Sequence, residues 1–506
     1  MDTNQLGINY HAILPETITA SVAVLIMLID ALARRIERRV AGVVSILGLI
    51  GAAVAVVTLW GRNGETSFNG MIITDDFRLF FAMIFLIVTF LTVLISLKWV
   101  EDEALPSGEY FALLMFATTG MLFMSAANDL VMIFLGLEIT SISTYVLCGY
   151  RRRDLRSNES AMKYFILGSF STAFLLYGMA LVYGATANVG AHPVATTNLQ
   201  LINERISSGR LYSSEMLLAG AAMMIVGFGF KVATAPFHVW SPDVYEGAPT
   251  PVTAFLSTGS KAAAFASFSR VFILTIATTS FGLSTGALHS LQSGTTNVLM
   301  VMAILTMTIG NLVAIVQSNI KRMLAYSSIA HAGYALVGMV ANDWRAVAFY
   351  LLSYVLINIG AFGIIGLMAR RGDKRVEISD YAGIGFQSLG LASVLSLFLL
   401  SLAGIPLTGG FMAKLLVFKS AWAAGFHALV VIGVINSAIS WYYYLRVIVA
   451  MFFAEPATGF KPPAVARSMA AALALAILGT LYLGIMPGRV LETLERARDQ
   501  ISQARK

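Results

Sequence analysis

The chain has 506 residues, 58% of them hydrophobic and only 12% charged, and its mean hydropathy is +0.78. So few charges could not keep that much apolar surface dry in a water-soluble protein; apolar runs of about 20 residues between short polar breaks mark a polytopic helical membrane protein. The net charge of +7 sits in short loops between the runs, which fits the positive-inside rule and calls for no nucleic-acid partner.

Fourteen runs are predicted as helices, at about 12–32, 40–60, 77–99, 110–127, 130–150, 160–185, 215–237, 250–279, 297–318, 323–341, 345–369, 388–424 (interrupted), 428–453 and 467–487. The start lacks the basic region and cleavage site of a signal peptide, so the first run is expected to remain. Charge checks the count. Arg34, Arg35, Arg38 and Arg39 follow run 1, and Arg151, Arg152, Arg153 and Arg156 follow run 5. Lys321 and Arg322 follow run 9; Arg370, Arg371, Lys374 and Arg375 follow run 11. All four loops follow odd-numbered runs, so they share one side, which the rule makes cytoplasmic, and both termini face outward. The acidic loop after run 3 (Glu101, Asp102, Glu103, Glu109) and the basic tail from Arg489 to Lys506 fit this scheme less well.

Cys148, inside an apolar run, reads as a small buried hydrophobe. No C-x-x-C occurs, which excludes thiolate-held iron–sulfur clusters within this chain. Neither a phosphate-binding G-x-x-x-x-G-K-[ST] nor a strand-led G-x-G-x-x-G is present, so any work is driven by an ion gradient or a partner.

Run 7 is broken at Pro236 and run 12 at Gly404-Ile405-Pro406, five runs apart. A proline removes one N–H and clashes with the carbonyl four residues back, here Val232 and Leu402. An odd-numbered repeat unit flips in the membrane, so runs 4–8 and 9–13 are expected to be inverted copies, and paired broken helices point to a transport pathway. The chain is then one membrane domain: residues 1–105 hold three N-terminal helices, 106–280 the first repeat, 281–453 the second, and 454–506 the last helix and tail.

Glu138, Lys231, Lys261 and Lys414 lie well inside apolar runs. A lysine at bilayer depth costs roughly 2.5–3.5 kcal/mol on insertion scales and is usually retained for function. The bland readings are snorkelling, which suits Lys98, Lys163 and Lys419 near run ends, or a structural Glu138–Lys231 pair. Yet one carboxylate cannot neutralise three ammonium groups, and desolvation with like-charge repulsion favours the neutral amine. Such lysines suit a proton relay. Ser327, His331 and Tyr334 are spaced i, i+4, i+7 and line one helix face. His238, beside the run 7 break and ahead of Asp243 and Glu246, is a weaker candidate for proton access. Trp441-Tyr442-Tyr443-Tyr444 reads as interfacial belt and packing.

The blocks GEYFALLMFATTGMLFMSAANDLVMIFLGLEITSISTYVLCGYRR, ESAMKYFILGSFSTAFLLYG, KVATAPFHVWSPDVYEGAPTPVTAFLSTGSKAAAF and KRMLAYSSIAHAGYALVG resemble the subunit N family of NADH-quinone oxidoreductase, respiratory complex I, across runs 3 to 13. That family belongs to an antiporter-like group that includes subunits L and M and subunits of multi-subunit cation/proton antiporters. Residue by residue, the resemblance makes Glu138 the run 5 glutamate, Lys231 the lysine of the broken run 7, Lys261 the run 8 lysine and Lys414 the terminal lysine of run 12, with His331 in the central axis between them. Lysine at 414 argues against subunit M, and the lack of a long amphipathic extension against subunit L. The resemblance implies a proton-translocating subunit of a bacterial inner-membrane complex, beside other antiporter-like and small membrane subunits. It implies no cofactor or metal in this chain; NADH, FMN, iron–sulfur clusters and quinone are expected in partner subunits. The nearest rival is a sodium/proton antiporter subunit, and a further one is a structural spacer with a vestigial channel.

Overall fold

The computed structural model describes residues 7–32, 38–187, 195–209, 211–276, 286–456 and 463–503, without the side chains at 38, 276, 286–292 and 498–503. Arg34 and Arg35, the side chain of Arg38 and the end of the basic tail therefore lie outside the described residues. Among the described residues the regular structure is helical apart from one hairpin of two-residue strands, β1 (Thr66–Ser67) with β2 (Ile72–Ile73), which joins the second and third helices.

Twelve helices among the described residues are long and apolar enough to cross a membrane. They are α1 (Leu14–Leu32), α2 (Arg38–Leu59), α3 (Asp76–Asp102), α4 (Ser107–Ala126), α5 (Leu130–Cys148) and α6 (Leu155–Ala185), then, after the short amphipathic α7 (Leu199–Ser207), α8 (Ser214–Lys231). The second half follows α9 (Trp240–Gly247), α10 (Thr250–Phe255) and α11 (Lys261–Val271) with α12 (Gly286–Ile315), α13 (Ile320–Val340) and α14 (Trp344–Ala369). After α15 (Ile384–Gln387), α16 (Leu389–Ala403) and α17 (Gly409–Ala423) come α18 (His427–Phe453) and α19 (Arg467–Ile485), with α20 (Gly488–Gln503) last. The two predicted runs missing from the twelve are present in pieces. Run 12 is α16 and α17. Run 8 is α10 and α11 joined through a π-helical turn, Leu256–Ser260, an interruption that the sequence does not announce.

Polar caps set many of the helix starts. Asp75 accepts from the Arg78 N–H, Asp129 from Val131, Ser213 from Met216 and Asn319 from Arg322, each satisfying a backbone donor that a first helical turn leaves free. Small residues set the closest approaches. At Gly310 of α12 a Cβ would meet the Ala330 backbone N of α13 at 2.6 Å, so glycine lets these two helices touch backbone to backbone. Nearly every residue of α13 is buried, which makes it the central post.

Ion pairs show which loops share a face. After α1, Arg39 pairs with Glu101 at the end of α3, at 3.4 Å. After α5, Arg151 meets Asp373, which follows α14, at 2.6 Å. Lys321, opening α13, meets the same Asp373 oxygen at 3.1 Å and donates to the Ala248 carbonyl at 2.7 Å. Glu103 lies 3.9 Å from Arg151. The odd-numbered loops thus meet on one face, and the acidic loop after run 3 supplies carboxylates to its basic neighbours. The opposite face has its own pairs, the buried Glu16–Arg78 and the part-buried Asp75–Arg270, both 2.8 Å. There α20 lies beside Asp343 and Arg345 with Leu494 and Ala497 buried, so the tail is on the far face from the basic loops.

Candidate functional site

The break in run 7 falls before its proline. α8 ends at Lys231, and Ala233 takes a left-handed φ of 58°. The carbonyls released are those of Gly229, which accepts from Thr234 N at 2.9 Å, and Phe230, which accepts from the Trp240 indole at 2.9 Å. The Val232 expectation is therefore misplaced, because the helix has already ended at Lys231, five residues ahead of Pro236. The break in run 12 falls as expected. Gly404 turns left-handed at φ 96°, and Lys414 reaches back to donate to the freed Leu402 carbonyl at 2.9 Å and that of Ala403 at 3.0 Å. A cation there is doubly favoured, by the unpaired carbonyls and by the negative end of the half-helix dipole.

All three lysines are buried, and none forms an ion pair among the described residues. Their partners are hydroxyls and carbonyls. Lys231 Nζ donates to Ser141 Oγ at 2.7 Å and Tyr145 OH at 3.3 Å, both on α5. Glu138 stands on the same face of α5, three residues before Ser141, and makes no ion pair with Lys231; its Oε1 is buried without a hydrogen-bond partner among the described residues. In place of a salt bridge to Glu138, Lys231 is held by these two α5 hydroxyls.

Lys261 is the first residue after the π-helical turn. Turns of this kind rotate a side chain out of helical register and recur at functional sites. Its Nζ donates to the Ser328 carbonyl at 2.8 Å and to Ser328 Oγ. Next along α13, Ser327 shares a hydrogen bond with Tyr444 OH, which lies 3.2 Å from His331 Nε2; Nδ1 of the same ring lies 2.6 Å from Tyr350 OH. The Tyr334 ring stands 5.7 Å from the His331 ring and carries Lys414 Nζ 4.9 Å from its centroid. Lys414 also donates to Ser437 Oγ at 2.9 Å. The hydroxyls of the adjacent Ser327 and Ser328 and of Tyr444 thus lie between Lys261 and His331, and the Tyr334 ring lies between His331 and Lys414. Lys231 stands apart from these groups, with the Tyr145 and Tyr164 rings (4.7 Å between centroids) beside it.

His238 is not in the axis; it lies half-buried in the turn after α8. Asp243, nearby, is held by Lys163 and Arg322, each at 2.7 Å. Burial pushes its carboxyl up, but these two cations outweigh that and leave it below its usual range. The belt reading of 441–444 needs correction. Trp441 and Tyr442 are exposed, whereas Tyr443 and Tyr444 are fully buried and Tyr444 is a member of the site. Ser437, Ser440 and Tyr444, spaced i, i+3, i+7 on α18, are the stripe that could have revealed it.

Tyr444→Phe keeps the ring and removes only the shared hydroxyl. It is expected to lower stability by about 1 kcal/mol, and combining it with Tyr350→Phe leaves both His331 nitrogens without their partners at a further cost of about 1–3 kcal/mol. Thermal melting of the full chain in detergent checks both steps; additive, near-zero losses would show the ring nitrogens have other partners.

Residues 127–440 match the family model described as "NADH:quinone oxidoreductase/Mrp antiporter, TM". The NADH-quinone oxidoreductase subunit N of Trichlorobacter lovleyi is 43% identical over 493 residues, covering 97% of each chain. Among solved structures, respiratory complex I from Thermus thermophilus contains a chain that superposes with a TM-score of 0.78 at 31% identity, covering 95% of this chain and 99% of that one. The Mrp complex of Dietzia sp. matches with the same TM-score at 20% identity, over 97% of each chain, a likeness of fold alone.

Proposed function

Because this chain belongs to the NADH-quinone oxidoreductase subunit N family, we propose that it carries protons across the membrane as one subunit of that enzyme, without redox chemistry of its own. The observation that carries the reading is the set Lys261–Ser328, Ser327–Tyr444–His331 and Lys414–Ser437, buried except for the half-buried Ser437. Every link is a group that both gives and takes a hydrogen bond or a lysine that can lose a proton, which is what stepwise transfer requires.

In this mechanism Glu138 sets the charge on Lys231. With its carboxylate near, the ammonium is held; with it withdrawn, burial favours the neutral amine and the proton moves on. Glu138, whose buried Oε1 has no hydrogen-bond partner among the described residues, is the carboxylate on α5 placed to do this. The proton then passes by Lys261 and His331 to Lys414, whose cation is received by the end of α16, and leaves on the far side. By the positive-inside rule the face carrying Arg151 and Lys321 is cytoplasmic, the termini are periplasmic, and the membrane is the bacterial inner membrane. The partners are the other subunits of the complex, with antiporter-like and small membrane subunits on either side.

Two matching loop contacts support inverted repeats. Asp129, ahead of α5, bridges Asn198, and Asn319, ahead of α13, bridges Glu377. Each bridge is flanked by the same pair of backbone bonds: Leu130 N to Thr197 O with Leu199 N to Asn128 O, and Ile320 N to Val376 O with Ile378 N to Ser318 O. The first follows runs 4 and 6, the second runs 9 and 11, so they fall on opposite faces as flipped copies require.

The assembled enzyme bearing Lys231→Ala or Glu138→Ala provides the test. Proton translocation per NADH oxidised is expected to fall in both; unchanged stoichiometry in both would overturn the relay and leave a structural spacer. The antiporter alternative predicts instead a purified assembly of membrane subunits alone, lacking NADH-oxidising partners.

A further inference from the structure

A groove of about 360 Å³ opens on the outer side of the bundle between α3, α14 and α19, at their ends on the basic-loop face. Its walls are Ile95, Trp99, Pro251, Phe362, Leu367 and Met469, and Gly363 and Gly366 of α14 leave it deep. The size falls within the range of about 300–1,000 Å³ typical of small-molecule pockets. Its rim is charged. Lys98 there is engaged by Asp102 at 2.9 Å, and Glu103 accepts from Gly372 N at 2.7 Å. The acidic rim residues are thus already answered within the chain.

Arg370 and Arg371 complete the rim, and both are exposed. Arg371 forms no ion pair among the described residues. Arg370 ends α14 with φ 59° and ψ −173°, a backbone state costing a non-glycine residue of order 1–3 kcal/mol and kept mainly where function needs it. It places two successive arginines over the mouth of an apolar slot at membrane-surface depth.

We propose that this groove binds an anionic phospholipid, with an acyl chain along Phe362, Leu367 and Met469 and the phosphate between Arg370 and Arg371. An apolar slot capped by paired arginines matches that ligand in both halves: guanidinium groups suit phosphate geometry, and basic clefts between membrane helices at the interface select anionic headgroups. The assignment needs only that the chain spans a membrane and is independent of the proton path.

Native mass spectrometry of the full chain in detergent, equilibrated with equimolar phosphatidylglycerol and phosphatidylcholine of matched acyl chains, is the experiment. Each basic contact is worth about fivefold, so phosphatidylglycerol is expected to be retained over phosphatidylcholine by about tenfold or more. Arg370→Gln with Arg371→Gln should bring the ratio near one. Gly363→Leu should reduce retention of both lipids, since a Cβ there meets Ile95, Met469 and Leu473 at ordinary contact distances of 3.5–3.7 Å and the added branch enters the slot. Equal retention of the two lipids by the unaltered chain, or a preference untouched by the double arginine substitution, would overturn the proposal. Both arginines are exposed, so the double substitution leaves the apolar walls of the groove in place.

Discussion

Lys261→Met is expected to abolish the proton translocation carried by this subunit while leaving the assembled enzyme intact. Methionine nearly matches the lysine stem, so the fully packed pocket around residue 261 keeps its volume. What disappears is the group that donates to both the Ser328 carbonyl and its hydroxyl. A positioned proton-transfer group contributes about 10²–10⁴ in rate, and a series path is limited by its slowest link, so the loss should be at least about a hundredfold for this channel. Lys261→Arg separates two roles. Arginine keeps the cation but does not give up its proton. If Lys261 relays, arginine fails as completely as methionine; if Lys261 only holds a positive charge against Ser328, arginine restores pumping. Proton uptake per electron by the enzyme in sealed vesicles distinguishes the two, and wild-type pumping by the methionine variant would remove Lys261 from the path.

The charged members of the site were legible because a charge in an apolar run is costly and therefore conspicuous. Glu138, Lys231, Lys261 and Lys414 stand out from any hydropathy reading, and His331 stands out from its serine- and tyrosine-bearing stripe. Their partners did not. Ser141, Tyr145, Ser328, Tyr350 and Ser437 are residues that membrane helices carry everywhere, for packing, back-bonding or interface contact, so nothing local marks the ones that receive a lysine. Tyr444 was hidden by its neighbours: four aromatics in a row look like a belt, although successive residues on a helix point about 100° apart and two must face inward. The π-helical turn before Lys261 is a property of backbone hydrogen bonding and left no residue-type signal. The Pro236 break was visible but misplaced, because the strain falls at Ala233, where alanine adopts a conformation its side chain disfavours.

The loop charges were legible as topology and concealed a structural clasp. Arg151 after α5, Lys321 at the start of α13 and Asp373 after α14 bury together, joining the two proposed repeats at the basic-loop face. Asp373→Ala is expected to destabilise the chain by about 3–5 kcal/mol, because removing the carboxylate leaves Lys321 buried without its counter-ion and Arg151 with only the more distant Glu103 and Asp154. The effect should depend on pH in a definite direction. Burial raises the Asp373 carboxyl, but Lys321 and Arg151 more than offset it, so the folded value lies below the ordinary 3.8. A group whose folded value is lowered contributes stability above its unfolded value and loses it as pH falls through the folded one. The gap between wild type and Asp373→Ala should therefore be full at about pH 7 and close only at pH below about 3.8. Thermal melting of the full chain in detergent across that range measures it. A gap that stayed constant into acid would mean that Asp373 acts through packing and not through its charge, and the clasp would then not be electrostatic.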